Sequence, residues 1–509
     1  MNDEKMVKEE VKAADTEAVR DKRPKTRKRL VWRAVTCAVL AILVFGAALL
    51  IPKLDLKGLH KPFMDGSNDA TEAPADPDVT AAPEATAIPD TEGYLVTAPE
   101  EREYAKSPYS KELDWGSAEF ESMEREWTRE LSARREAAVN APDINAFSSA
   151  LIKALREEAG EGNLVCSPLN IYMALAMLTE TTGGDTRAEL LDALGAKSIE
   201  ELRASAAAYL AAEPNDDGVS KCTIANSLWM CSRIGYMTDA LETLAECYGA
   251  SSYWGDPAEE AYSQALRDWL NENTGGLLKD SVNNVKMDPE TVLALASTVY
   301  LKAAWSSDYR EEDTAPRTFR GKKGDKETDF MNKRDTTTLY YKGEDYALFC
   351  DCLKNGGRMW YILPDEGVDP AELMERIGFS FTDGSLFGST RYTVVVSAPK
   401  LDVTSELSLI PALKAMGINR CFDPSLSDFT PLTLDTEGLY VSSAKHAARV
   451  KTDEEGIEAA AYTVMLVNET AMMPDPKTVY FTLDRPFAFV VTGMTDAPMF
   501  VGIVNDVEQ

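Results

Sequence analysis

The chain has 509 residues, 53 of them basic and 84 acidic, for a formal charge of −31, and that length can bury one large core and still carry appendages. So acidic a surface repels phosphate backbones and argues against a nucleic-acid partner. Otherwise the charge reads as a solvated surface that favours solubility and names no partner.

Residues 22–33, KRPKTRKRLVWR, are strongly basic, and residues 34–51, AVTCAVLAILVFGAALLI, carry no charge. A helix of that length spans about 27 Å, close to one hydrocarbon thickness. The prediction is a basic cytoplasmic tail (1–33), a transmembrane anchor (34–51) and a cell-membrane protein whose bulk lies on the extracellular side. Cleavage after Ala48 would instead make the segment a signal peptide and the protein secreted. The length of the tail ahead of the apolar run favours the uncleaved anchor.

Residues 52–110 include TEAPADPDVTAAPEATAIPDTEG, rich in Pro, Ala, Thr and acid, and read as a disordered, extended spacer. A globular domain is predicted over 111–509, entered through a charged helix at 117–139. From Ile144, INAFSSALIKALREE has helical apolar spacing, and IYMALAMLTETT continues it after the break NLVCSP. Further on, RYTVVVSAPKLDV and VYFTLD read as strands and ELSLIPALKAMG as a helix. No short repeat appears. The pattern is that of one large mixed α and β domain.

Of the eight cysteines, Cys37 falls in the apolar stretch, and the other seven are an odd, scattered set that makes a poor disulfide framework. Cys350-Asp351-Cys352 lacks the two-residue spacer of zinc or thioredoxin motifs, so the thiols read as structural, with no metal. The only histidines are His60 and His446. Ser–His–Asp or Cys–His catalysis would therefore depend on His446 alone, and no Gly-rich loop precedes a Lys-Ser/Thr pair to cradle phosphate. No enzyme and no cofactor are expected.

After Asp453-Glu454-Glu455-Gly456 comes IEAAAYTVMLV, without Pro or basic residues. As a strand, it would set Ile457, Ala459, Ala461, Thr463, Met465 and Val467 on one small or apolar face. The other face is more mixed, with Glu458, Ala460 and Tyr462. Gly456 offers a hinge with permissive backbone angles. On its own this segment reads as an ordinary exposed strand.

Several segments, in this order and spacing, resemble the serpin family: NLVCSPLNIYMALAMLTETTGGDTRAELLDALG (163–195), TIANSLWM (223–230), YSQALRDWLNENTGGLLKD (262–280) and LALASTVYLKAAWSSDY (293–309). MWYILPDEG, APKLDVTSELSLIPALKAMGI and FDPSLSDFTPLT follow, then VSSAKHAARVKTDEEGIEAAAYT (441–463) and DRPFAFVVTGMTDAPMFVGIVND (484–506). The resemblance covers about 141 to the end. It implies an α+β, serpin-like fold: a large mixed, mainly antiparallel sheet, further sheets, surrounding helices and an exposed reactive-centre loop.

It also implies a function. A target serine protease attacks the loop and forms an acyl-enzyme; the freed loop then enters the main sheet as a new strand, a transition for which serpins are the standard example. From Gly456 to Thr470 is 14 steps, or about 46 Å of strand. Roughly ten new backbone hydrogen bonds at ~1 kcal/mol each supply a driving force on the order of 10 kcal/mol. The covalent protease complex is the implied partnership, formed by a monomer.

The resemblance implies three sets of residues. Glu454, Gly456, Ile457, Glu458, Ala459, Ala460, Ala461 and Thr463 form the loop hinge, in which Thr is commoner than Ile457 and Ala than Tyr462. Ser167, Asn170, Ser297, Trp305 and His446 form the sheet-opening region, with His446 buried and bonded to neighbouring strands. Two of these depart from the family: Asn is usual where Ser297 stands, and a second Ser where Asn170 stands. Counting fifteen residues from Gly456 makes Thr470–Ala471 the reactive-site bond. The stretch from Gly456 to Pro486 is about five residues longer than usual, so Met472 and Met473 stay open as alternatives.

No Lys or Arg occurs between Lys451 and Lys477, which leaves trypsin-like pockets nothing to bind; elastase-like or subtilisin-like enzymes suit the loop. Asn468-Glu469-Thr470 is also a glycosylation sequon, silent in a bacterium, which the short tail and plain spacer suggest. The alternatives are a non-inhibitory serpin acting as an extracellular binding protein, an extracellular enzyme on an unrelated fold, and a structural surface protein.

Overall fold

The computed structural model describes residues 91–111, 113–114, 116–435, 438–457 and 476–507. The tail, the 34–51 segment and most of the spacer lie outside the described residues. Among those residues no helix is long and apolar enough to cross a membrane. The expected single-pass membrane placement is corrected accordingly: it rested on 34–51 alone, and the longest described helix, Ala118–Ala138, carries ten charged side chains in 21 residues.

In chain order the elements that matter here begin with β1 (Leu95–Thr97), a strand inside the expected spacer. The charged helix α1 (Ala118–Ala138) starts where Ser117 accepts a hydrogen bond from Phe120 N–H, with Glu119 and Glu121 in its first turn and Arg135 in its last. Then come α2 (Asn145–Ala159), β2 (Leu164–Cys166) and α3 (Pro168–Glu180). Ser167 caps α3 and Pro168 occupies its first turn, where no backbone donor is needed. Twelve of the 13 residues of α3 are buried, so this helix runs through the core.

After α4 (Ile199–Ala212) follow β3 (Lys221–Cys231), β4 (Ala250–Gly255), α5 (Glu260–Asn273) and β5 (Leu293–Ala304). The remaining strands of the main sheet are β6 (Leu401–Ser408), β7 (Lys445–Thr452) and the two-residue β8 (Gly456–Ile457). Burial alternates strictly along β6 through Leu407, so the helix read at ELSLIPALKAMG is shorter than expected and begins only at Leu409.

The eight-stranded main sheet has the order β1–β4–β3–β5–β8–β7–β6, with Asn215–Asp216 pairing to β3 off this path. β3 and β4 run parallel and the other pairs antiparallel, which makes the sheet mixed. Val299, Leu301 and Ala303 of β5 join the main core. Ala294 and Ala296 instead meet a second cluster around Trp229, Tyr262 and Trp269, under α5. The period-two alternation thus gives β5 two apolar faces.

A six-stranded sheet runs from β2 through Pro498–Val504 and Phe487–Thr492 to Tyr340–Lys342. A four-stranded sheet joins Lys477–Thr482, Tyr392–Pro399, Gly324–Thr337 and Ala315–Gly321. All described residues fall in one compact unit, Asp76–Gln509.

The segment ahead of α1 is tied to this unit. Leu95 and Thr97 pair with Tyr253 and Ser252 of β4, and Ser107 N–H donates to Asp217 O at 2.8 Å. Arg134 of α1 is buried and donates to the carbonyls of Ala212 and Glu213 at 2.9 and 3.0 Å. It thereby satisfies acceptors that the end of α4 leaves open.

Candidate functional site

β5 and β7 flank the same place in the main sheet, yet only β8 stands between them among the described residues. Gly456 and Ile457 pair with Ala304 and Ala303 of β5, and Ile457 with Thr452 of β7. β5 is 12 residues long and β7 eight, against two for β8. Below β8 the facing edges therefore meet no strand among the described residues. The gap opens into a cleft of about 730 Å³ whose walls include Leu295, Ser297, Val299, His446 and Ala448, with Asn170 of α3 on its floor. Backbone groups along such edges are strong, directional partners for another strand.

Ile457, a member of the expected hinge, lines this cleft. A Cβ on Gly456 would lie 2.7 Å from Ala304 Cα and closer still to the Ala303 carbonyl oxygen. Gly456 is not among the glycines with positive φ, so the expected reason for it is corrected: close approach to β5 demands a glycine here, not permissive angles. Ile457 is buried and belongs to the main core, the face predicted for it. Glu454 is also buried; its carboxylate accepts from Thr314 Oγ1 at 2.6 Å and Lys400 Nζ at 2.8 Å. Burial would raise its pKa, but Lys400 and Thr314 outweigh that and hold it below the ordinary value. Glu458, Ala459, Ala460, Ala461, Thr463, Thr470, Ala471, Met472 and Met473 lie outside the described residues.

Trp305 lies beside the turn that leads into β8. Its backbone N–H donates to Glu455 O at 3.1 Å and its Nε1–H to Asp453 O at 2.8 Å. Beneath it, the Lys333 ammonium lies 4.3 Å from the Tyr309 ring centroid and 2.7 Å from Asp351 Oδ1, with both charged groups almost inaccessible. Tyr309 OH donates to Asp351 at 2.9 Å. Burial raises the Asp351 pKa despite the lysine. This buttress and the Lys400–Glu454 pair carried no sequence signal, because their members are scattered along the chain.

The other four residues expected in sheet opening meet farther down the cleft. Ser167 N–H donates to His446 Nε2 at 3.0 Å, and Ser167 Oγ accepts from Asn170 N–H at 3.2 Å. Asn170 Nδ2 donates to Ser297 O at 2.8 Å. One expectation is corrected here. Trp305 follows the last residue of β5, eight residues from Ser297 and about 26 Å away along the strand, so the five residues form two groups. The His446 ring bonds the cap of α3, while its residue pairs with Leu407 of β6. Burial lowers the His446 pKa to about 4, so the ring is neutral, accepting at Nε2 and protonated on Nδ1. Ser297 Oγ is buried without a hydrogen-bond partner among the described residues.

The family model "Serpin (serine protease inhibitor)" matches residues 142–507. The chain is 29% identical to an alpha-1-antitrypsin-like protein of Tamias sibiricus, over 72% of this chain and 89% of that one. It is 27% identical to the leukocyte elastase inhibitor of Homo sapiens, over 68% and 93%. Among solved structures, the thermophilic serpin tengpin in its native state superposes with a TM-score of 0.62 at 28% identity, covering 72% of this chain and 93% of tengpin. With an α+β architecture, a mixed main sheet in which only β8 stands between β5 and β7 among the described residues, and a family match across most of its length, the chain belongs to the serpin family of serine protease inhibitors.

Proposed function

We propose that this serpin traps serine proteases as a suicide substrate, forming an acyl-enzyme at Thr470–Ala471 or a bond as far along as Met473. The observation that carries this reading is β8, a two-residue strand already in register at the top of a gap that holds no other strand among the described residues. Extending its pairing downward sets 458–467 against Lys302 to Leu293 and gives the severed loop a place to go. On the same register Ala459, Ala461 and Thr463 follow Ile457 toward the core, and Glu458 and Tyr462 face outward.

Small and medium apolar residues near the reactive bond suit elastase-like or subtilisin-like pockets, in keeping with the name of the leukocyte elastase inhibitor among its relatives. The inhibitory unit is residues 111–509, with 91–110 strapped to its sheet, acting as a single chain.

Arginine substitutions on alternate faces test the reading. Ala459→Arg would bury an unpaired charge, costing several kcal/mol against a driving force on the order of 10 kcal/mol, and would let water release the acyl-enzyme first. Glu458→Arg leaves its charge in solvent. The number of inhibitor molecules consumed per protease inactivated should rise steeply for the first and little for the second. Equal numbers would refute the assigned strand.

A further inference from the structure

We propose that Cys350 and Cys352 are a redox pair: a hydroperoxide oxidises the Cys352 sulfur, Cys350 closes a disulfide across Asp351, and the buttress under Trp305 loosens. Neither cysteine takes part in the trapping proposed above.

Both residues end the strand Tyr346–Cys352 and are free thiols. The one-residue spacing that sets them apart from zinc and thioredoxin motifs puts both side chains on one face of that strand. Two strand steps separate their Cα atoms by about 6.6 Å, the upper end of what a disulfide spans. The Cys350 thiol donates a hydrogen bond to the Cys352 sulfur, so the two sulfurs already lean together. Cys350 is 2% exposed, whereas Cys352 is only half-buried. One sulfur can thus meet an oxidant while the other waits beside it. The bond from Cys350 holds the Cys352 pKa below its ordinary value against the effect of burial, with help from Arg358 directly across the sheet. Cys247 is also half-buried, but burial raises its pKa. Peroxides attack the thiolate and not the thiol.

With hydrogen peroxide the Cys352 thiolate attacks one oxygen; the S–O bond forms, the O–O bond breaks and the departing hydroxide is protonated to water. The Cys350 sulfur then attacks the sulfenic sulfur. The S–S bond forms, the S–O bond breaks, and the Cys350 proton leaves with the hydroxyl as a second water. Two thiols lose two electrons and two protons in all.

The residue inside the bridge is Asp351, whose carboxylate holds Lys333 and Tyr309 on the opposite face. Cys350 N–H donates to Leu339 O, and Cys352 O accepts from Ser306 N–H. The Asp351 backbone therefore points the other way, toward its register partner Met359. Drawing the two sulfurs to bonding distance puckers this peptide, breaks the Asp351–Met359 bonds and pulls the carboxylate from the lysine.

The test treats the full native chain with hydrogen peroxide, blocks remaining thiols with iodoacetamide and maps the peptides by mass. The peptide holding both residues should be unalkylated and about 2 Da lighter, reversed by dithiothreitol. Cys352 should react on the order of ten-fold faster than Cys247. In Cys350→Ala, dimedone should label Cys352, whose sulfenic acid has lost its partner; Cys352→Ser should form no bridge. Oxidised wild type should exchange the Asp351 and Met359 amides about 30-fold faster, the worth of two backbone bonds, and melt at a lower temperature. Cys352→Ser should show neither change. Thiols at 350 and 352 that stay alkylatable, equal reaction at Cys247, or no dimedone adduct in Cys350→Ala would overturn the pair. A bridge that leaves amide exchange and melting unchanged would overturn its link to the buttress.

Discussion

Gly456→Ala is the smallest change that should disable the trap. The added methyl meets backbone at 2.7 Å or less on β5, whereas carbon atoms in contact rest at about 3.5–4.0 Å. β8 must therefore shift by roughly 1 Å or leave the sheet. Leaving forfeits two or three backbone hydrogen bonds at ~1 kcal/mol each and the burial of Ile457 at about 2 kcal/mol, roughly 4 kcal/mol in all. If half of that is felt at the barrier to insertion, insertion slows about 30-fold and deacylation wins more often. The assay is the number of inhibitor molecules consumed per protease inactivated, measured beside chemical denaturation of the intact chain. The variant should consume many more and also lose native stability. Wild-type values in both measurements would refute the view that β8 is the seated start of the inserted strand.

Four further outcomes are expected. His446 is held neutral with a pKa of about 4 against an ordinary 6.5, so below pH 6.5 the unfolded chain takes up a proton that the native state refuses. Stability should then fall as pH drops from about 6.5 to 4, by about 3 kcal/mol more than in His446→Gln, as denaturation at stepped pH would show. Glu454→Gln keeps the shape but removes the charge facing Lys400, and should lower stability by about 1–2 kcal/mol in urea titrations. Arg134→Met should cost about 2 kcal/mol and expose the end of α4 to amide exchange, because two carbonyls lose a buried donor. Lys333→Met strands the Asp351 carboxylate in the core and should destabilise by about 3–5 kcal/mol, read from the midpoint of thermal unfolding.

Much of this was legible because it is local. The Ser-Pro start of α3 and the strand reading that runs into Leu401–Val403 of β6 declare themselves within a few residues. The grouping of Ser167, Asn170, Ser297 and His446 came from family resemblance, and the fold brings those four together. What escaped is set at long range. Nothing near Lys400 announces Glu454, and Lys333, Asp351 and Tyr309 meet only once two sheets have formed. Leu95–Thr97 looks like linker because three residues carry no period, and only the open edge of β4 makes them a strand. Gly456 was expected for its permissive angles, whereas close approach by another backbone, which leaves no local mark, is what demands it.

The most direct test of the central claim is to mix the full chain with elastase-type and subtilisin-type proteases and run the products on a denaturing gel. The account predicts a band with the combined mass of inhibitor and protease that survives denaturation, together with a short C-terminal fragment beginning near Ala471. Cleaved chain without any such complex, from every apolar-preferring protease tried, would contradict it and leave a serpin that is a substrate and not a trap.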